Sequence, residues 1–193
     1  MGIISRFPAG ATKPYIEEIY NSDGQLISAN MYGYDAIRDF AFYDCTSLAL
    51  TSLPSGITSI GNGTFANCSN LALTSLPSGI TSIGANAFGG CSNLALTSLP
   101  NGITSIGDYA FYKCTSLALT SLPSGITSIG TRAFASCPNL VSITFEGTPT
   151  NISNSAFADC DNLTTINVPW ADGAVANAPW GATNATINYG YTG

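Results

Sequence analysis

The sequence repeats itself every 23 residues through most of its length. A phenylalanine recurs six times at this interval, a cysteine follows each one after three residues, and a leucine follows each cysteine after three more. The three sets are Phe42, Phe65, Phe88, Phe111, Phe134 and Phe157; Cys45, Cys68, Cys91, Cys114, Cys137 and Cys160; and Leu48, Leu71, Leu94, Leu117, Leu140 and Leu163. No insertion or deletion breaks the period between Ile37 and Pro169. Such a sequence predicts a stack of equivalent units, a solenoid.

Each unit is predicted to form one coil, with apolar side chains that point inward and stack on those of the next coil. In one unit the predicted inward residues are Leu48, Leu50, Leu53, Ile57, Ile60, Phe65 and Cys68. The alternation over residues 48–50 predicts a short strand, and residues 64–68 predict a single helical turn. Pro54 and Gly61 are expected to turn the chain. Strands of successive coils would then pair in parallel, about 4.8 Å apart.

The recurring pattern I-G-x-x-A-F-x-x-C-x-x-L resembles the BspA-type (treponemal-type) leucine-rich repeat of bacterial surface proteins. It covers residues 37–169, about two thirds of the chain. The last two units follow the usual family pattern, whereas the first four carry Leu-Ala-Leu-Thr-Ser-Leu-Pro, which moves one inward leucine forward by one position. The resemblance implies a leucine-rich-repeat solenoid of about six coils. It also implies a non-enzymatic recognition or adhesion module at the cell surface or outside the cell, with a host or bacterial surface protein or glycan as partner.

Both ends of a coil stack expose apolar core and strand edges, so caps are expected. Residues 1–36 are predicted to form an N-terminal cap, with a hairpin around the turn Asp23-Gly24. Residues 170–193 are predicted to form an aromatic C-terminal cap that contains Trp170, Trp180 and Tyr189. These three aromatic residues have two interpretations, a lid over the core or a docking site that includes self-association. The lid is favoured, because repeat arrays need caps to stay soluble.

Composition excludes several classes of function. The net charge is −6, and charged residues make up 8 % of the chain, against about 25 % in an ordinary domain. So few basic residues cannot follow a phosphate backbone, and nucleic acid is not expected as a partner. The chain has no histidine, which excludes a Ser-His-Asp triad and histidine-ligated metals. No apolar run is long enough for membrane insertion, and the N-terminus lacks the pattern of a signal peptide.

The cysteine column allows three interpretations, namely buried thiols, disulfides between coils, or a metal site. Buried thiols are favoured, because stacked Cβ vectors run parallel and no C-x-x-C pair is present. Among the carboxylates, Asp159 and Asp161 flank Cys160 without a nucleophile–base partner. We therefore predict no catalytic residues, no cofactor and no metal.

Positions that vary between units flank the Ala-Phe-x-x-Cys segment and include the candidate binding edge, Tyr43, Tyr109, Tyr112, Lys113 and Arg132. Tyrosine and arginine are common in binding patches. Tyr109 and Arg132 share a column, and we expect the arginine to lie over the ring. The alternative is neutral variation at tolerant loop positions.

A second function stays open. The segments at residues 3–8 and 178–181 give the chain some similarity to proteins of gut bacteria and their phages. A phage- or prophage-borne structural or receptor-binding protein would need no signal peptide. Such a protein would be oligomeric, with Trp170, Trp180 and Tyr189 as candidate interface residues.

Overall fold

The protein folds as a β-solenoid of about seven turns with 23-residue spacing, which confirms the predicted fold class. The structure is a computed structural model that describes residues 3–5, 15–33 and 35–193. Part of the predicted N-terminal cap, including residues 6–8, lies outside the described residues. Within the described residues, no helix is long and apolar enough to cross a membrane.

The described residues form short strands. In chain order these are β1 (Ile3–Ser5), β2 (Tyr15–Tyr20), β3 (Leu26–Tyr32), β4 (Ala36–Ile37), β5 (Ser59–Ile60), β6 (Ser82–Ile83), β7 (Ser105–Ile106), β8 (Ser121–Leu122), β9 (Ser128–Ile129), β10 (Ser142–Phe145), β11 (Asn151–Ile152), β12 (Thr165–Val168) and β13 (Thr186–Tyr189).

The strands form two parallel sheets along the solenoid and one antiparallel sheet at its start. The larger parallel sheet has the order β11-β9-β7-β6-β5-β4, and the second has the order β13-β12-β10-β8. Paired residues in the larger sheet are 23 apart, as in Ser82 with Ser105. Strands β1, β2 and β3 pair in antiparallel fashion, and the N–H of Ala49 donates to the carbonyl of Ile27 in β3 at 2.9 Å. The hairpin is thereby hydrogen-bonded to the first coil.

A single apolar core runs through the coils. Of the predicted inward residues, Leu48, Leu50, Ile57, Ile60, Phe65 and Cys68 are buried, and Leu53 is half-buried. The six phenylalanine rings stack face to face, with centroids 5.2–5.5 Å apart and planes within 3–10° of parallel. Each ring fills the space directly above its equivalent, and this requires an unbroken period.

The strand predicted over residues 48–50 is not present. Leu48 and Leu50 are buried and Ala49 is exposed, as expected, but each such segment gives only one backbone bond to the preceding coil, as from Ala72 to Leu50. In the first four units the following inward leucine lies three residues on, as Leu53 does, and this spacing breaks the two-residue alternation that a strand needs. The last two units restore the alternation, and there the four-residue strands β10 and β12 form.

The prediction of a single helical turn over residues 64–68 is wrong. This segment is a run of hydrogen-bonded turns in which Gly63 and Asn67 have positive φ values of 56° and 62°. A helix needs consecutive right-handed residues, so left-handed residues four apart exclude one.

The glycine of each I-G pair lies where neighbouring coils approach most closely. A Cβ atom added to Gly107 would lie 2.5 Å from the backbone nitrogen of Ala85, and one added to Gly84 would lie 2.7 Å from that of Asn62. No side chain fits at these separations. Coil packing therefore requires glycine at positions 84 and 107, whereas the equivalent position 153 of the last coil holds serine.

We predict that Gly107→Ala lowers the free energy of unfolding by about 2–3 kcal/mol, because the added methyl group must push two coils apart. Gly79→Ala is the control, since its added Cβ would meet nothing closer than 3.5 Å. Urea unfolding of both variants measures the effect. Equal stabilities would show that coil spacing does not depend on this glycine.

Candidate functional site

The Ala-Phe-x-x-Cys segments of successive coils stack into one edge of the solenoid, here called the turn edge (residues 38–45 and their equivalents at 23-residue intervals). Its backbone forms a ladder between coils. The N–H groups of residues 86, 88 and 90 donate to carbonyls of the next coil at 2.7–2.8 Å, whereas those of residues 87 and 89 donate to carbonyls of their own coil at 3.2–3.3 Å. The N–H groups of residues 86–90 are thereby all satisfied, and the coils are tied to one another along this edge.

Two columns of the turn edge hold left-handed residues, with φ between 51° and 77°. The first column contains Phe40, Gly63, Asn86, Tyr109 and Arg132, and the second contains Asp44, Asn67, Gly90, Lys113, Ser136 and Asp159. Glycine, asparagine and aspartate tolerate this conformation, whereas a bulky side chain there is strained. Phe40, Tyr109, Lys113 and Arg132 are thus held against their backbone preference.

The structure brings three of the predicted site residues together. The rings of Tyr109 and Tyr112 meet edge to face with centroids 5.6 Å apart, and the Lys113 ammonium lies 5.2 Å from the centre of the Tyr112 ring. Tyr109 and Lys113 are exposed and Tyr112 is half-buried. The three side chains form one aromatic and cationic cluster at the surface.

Tyr43 lies three coils away from this cluster. It is exposed and packs against Phe40, with ring centroids 6.0 Å apart. Sequence reasoning missed Phe40, which is 60 % exposed. The signal was present in the glycines and asparagines at positions 63, 67, 86 and 90, because they mark the left-handed columns to which Phe40 belongs.

Arg132 does not make the predicted contact with the Tyr109 ring. Its guanidinium instead lies 3.9 Å from the carboxylate of Asp159 on the next coil. Both side chains are largely exposed, so this ion pair adds little to stability. The cation–π contact found between described residues is the one from Lys113 to Tyr112.

A shallow groove of about 600 Å³ runs beside the cluster. Lys113 lies at one part of its wall and Asp159 and Asp161 at another, with Pro138 between them; the remaining lining residues are Gly90, Ser92, Thr115 and Ser136. The groove carries both signs of charge on a lining that is otherwise mostly apolar. It widens the surface that a ligand of the turn edge could contact.

The two tryptophans of the C-terminal segment point into the molecule. Trp180 is fully buried and Trp170 is 7 % exposed, and both rings pack on Phe145 with centroids 5.8 and 5.3 Å away. The Trp180 indole N–H donates to the carbonyl of Ala176 at 2.7 Å. Because both tryptophans are buried, they favour the interpretation of this segment as a lid over the core rather than as a docking site. Tyr189, on the edge strand β13, is 36 % exposed.

The cysteine column consists of free thiols. From Cys68 onward, each thiol donates to the carbonyl of a phenylalanine in the preceding coil at 2.9–3.1 Å, as Cys68 does to Phe42. Burial raises the pKa of the Cys68 thiol to about 12 and that of Cys160 to about 11, and it also raises the pKa of Cys91. These thiols are protonated at neutral pH and are poor nucleophiles. Among the described residues, no group of three potential ligands is arranged to hold a metal ion.

We predict that the buried thiols make stability fall as pH rises above about 8.5. The unfolded chain releases thiol protons near that pH, whereas the folded chain retains them, so the free energy of unfolding decreases with pH by up to about 1.4 kcal/mol per unit per thiol. Cys91→Ala removes one such group and should make the decrease shallower. Urea unfolding of both proteins between pH 8 and 9.5 tests this, and identical slopes would contradict it.

We further predict that Tyr109→Gly is more stable than Tyr109→Ala by about 1 kcal/mol. Both variants lose the ring, but only glycine relieves the left-handed backbone. Tyr43, which has no positive φ, is the control position, and there the alanine variant should be the more stable. Thermal unfolding of the four variants measures the order of stability at each position. The same order at both positions would show that Tyr109 is not strained.

Comparisons with known proteins agree with this geometry. The family model described as "BspA type Leucine rich repeat region" matches residues 35–164 in six copies. No curated protein matches the sequence.

Several solved structures are similar. A leucine-rich repeat protein from Bacteroides ovatus is 25 % identical with a TM-score of 0.64, and the match covers 83 % of this chain and 47 % of that one. The leucine-rich repeat protein of T. pallidum is 26 % identical with a TM-score of 0.62 and 85 % of each chain covered. A leucine rich cell surface protein from Faecalibacterium prausnitzii is 26 % identical with a TM-score of 0.54, covering 83 % and 56 % respectively. The chain thus spans about half the length of the first of these proteins.

Proposed function

The chain belongs to the BspA-type leucine-rich repeat family, and from this we propose that it is a non-enzymatic recognition module of a bacterial surface. It binds a host or bacterial surface protein or glycan through the turn edge, with Tyr43, Tyr109, Tyr112, Lys113 and Arg132 as contact residues. The description of the Faecalibacterium prausnitzii relative as a cell surface protein supports this location.

The observation that carries the proposal is the strain at Tyr109, Lys113 and Arg132. Equivalent positions in other coils hold Gly63, Asn86 or Gly90, so the fold itself has no need of these large side chains. Bulky residues kept in a costly conformation at the surface are typical of functional sites. Side chains of this kind also dominate the energetics of protein interfaces.

The ladder beneath the turn edge explains how such a surface binds. Because the backbone between coils is fixed by hydrogen bonds, the contact side chains start from a pre-ordered platform and lose little entropy on binding. Repetition of the coil presents weak contacts at regular intervals, which add by avidity. A catalytic role is not part of the proposal, since the thiols are protonated and the chain has no histidine.

We propose the same division of the chain that the sequence predicts, with residues 1–36 and 170–193 as caps on a solenoid of residues 37–169. The packing of Trp170 and Trp180 on Phe145 supports the C-terminal boundary. Tyr189 keeps its role as a candidate contact for self-association, because its strand is a sheet edge.

The test is binding of the full chain to immobilised mucin, fibronectin, fibrinogen and whole bacterial cells. A variant with Tyr109→Gly, Tyr112→Ala and Arg132→Gly should lose at least tenfold in affinity, because it removes the central contacts and leaves both left-handed positions relaxed. Tyr191→Ala is the matched control, since this tyrosine is 42 % exposed at the C-terminal end.

Unchanged binding by the triple variant would show that the turn edge is not the site. Loss of binding by Tyr191→Ala alone would move the site to the C-terminal segment. Binding to bacterial cells without binding to any host component would favour the phage or prophage alternative.

A further inference from the structure

Two pairs of aromatic residues occupy equivalent positions of the turn edge, three coils apart. Phe40 and Tyr43 form one pair, with ring planes at 67°, and Tyr109 and Tyr112 form the other, at 88°. Three coils correspond to about 15 Å. Single exposed aromatic residues are ordinary, but two equivalent pairs on one edge form walls on either side of the coils between them.

At the equivalent positions, the two coils between the walls carry only small side chains, namely those of Gly63, Ala66, Asn86 and Gly89. The Phe40 ring leans over Gly63, where an added Cβ would lie 2.6 Å from the ring. In the next coil Gly89 is buried under the side chain of Asn86, and the half-buried Asn86 is the group exposed between the walls. We call the space above Asn86 the aromatic trough, with Phe40, Tyr43, Tyr109 and Tyr112 as walls and Asn86 as floor.

Asn86 gives the floor a polar group that is available to a ligand. Its side-chain oxygen occupies the space where Gly89 lacks a Cβ atom. Asn62 and Asn67, one coil earlier, hydrogen-bond to Asp39 and Asp44 through their side chains. The Asn86 amide has no such bond with the part of the chain that the structure describes. Its one carbonyl and two N–H sites can each serve a ligand.

The trough does not suit an extended peptide that binds by strand addition. Strand addition requires free backbone N–H and carbonyl groups at a sheet edge. Every N–H from residue 86 to residue 90 already donates within its own coil or to the next. A ligand must therefore bind through the aromatic rings and the Asn86 amide.

The charges around the trough disfavour an acidic ligand. The floor itself carries no charged side chain, and the chain as a whole has a net charge of −6. Asp39, Asp44 and Asp108 lie on the same edge, while the cations Arg38 and Lys113 stand on the coils of the walls. A neutral ligand that offers hydroxyl groups avoids this repulsion.

From these observations we infer that the aromatic trough binds a neutral sugar ring. The C–H face of a pyranose packs on the wall of Tyr109 and Tyr112, one coil from Asn86, and its hydroxyl groups exchange hydrogen bonds with the Asn86 amide. The inference rests on the proposed function, because it names the ligand class of the same edge.

The experiment is binding of the full chain to immobilised neutral hexose and N-acetylhexosamine oligosaccharides and to their sialylated counterparts. Neutral oligosaccharides should bind at least tenfold more tightly than the sialylated ones. Asn86→Gly should weaken binding about tenfold, because it removes the amide and keeps a residue that suits the left-handed backbone. Asn177→Gly is the matched control, since it makes the same change at a left-handed asparagine outside the turn edge and should leave affinity unchanged.

Absence of binding to every neutral oligosaccharide, or affinity unaffected by Asn86→Gly, overturns the inference. Binding to mucin or fibronectin that is lost in the triple variant but unaffected by Asn86→Gly and by competing neutral sugars would overturn it too, and would leave the proposed function in place. Binding that survives the triple variant would overturn both.

Discussion

The hydrogen-bond ladder of the turn edge is the constraint on which the rest of the molecule depends. At residues 86, 88 and 90 the N–H points to the next coil, and the residues at 86 and 90 are left-handed. With the backbone fixed in this way, Phe88 is held directly over Phe65 and beneath Phe111. Any change in repeat length would break the ladder and the ring stack together, which explains why the period is exact.

Most of the core could be predicted from the sequence, because burial follows periodicity. The inward positions, the thiol column and the parallel order of the coils all follow from a constant 23-residue spacing. The strand positions could not be predicted as well. Leu50 and Leu53 contribute to the core without a two-residue alternation, so residues 48–50 alternate in burial but form no strand there.

The candidate site was predictable only in part. Variation between units points to Tyr109, Tyr112 and Lys113, which the structure places in contact. Their backbone strain could not be derived from the variation itself, since φ depends on the ladder between coils. The ion pair of Arg132 with Asp159 could not be predicted either, because the sequence does not tell in which direction the arginine side chain extends across the edge. The same strain lowers stability, since glycine would suit the backbone better at each of these positions, and under the proposed function this is the cost of recognition.

Because the register is unbroken, arrays of this kind can diversify by gain or loss of whole units. Four units share nearly identical segments of fourteen residues, beginning at Leu48, Leu71, Leu94 and Leu117. Gain or loss of one entire unit would leave every ring stack and every rung of the ladder intact. It would change the separation of the walls at Phe40 and Tyr109 by one coil, about 5 Å. Under the proposed function, the binding surface would change in steps of one coil, while the ring stack and the ladder that support it stay the same.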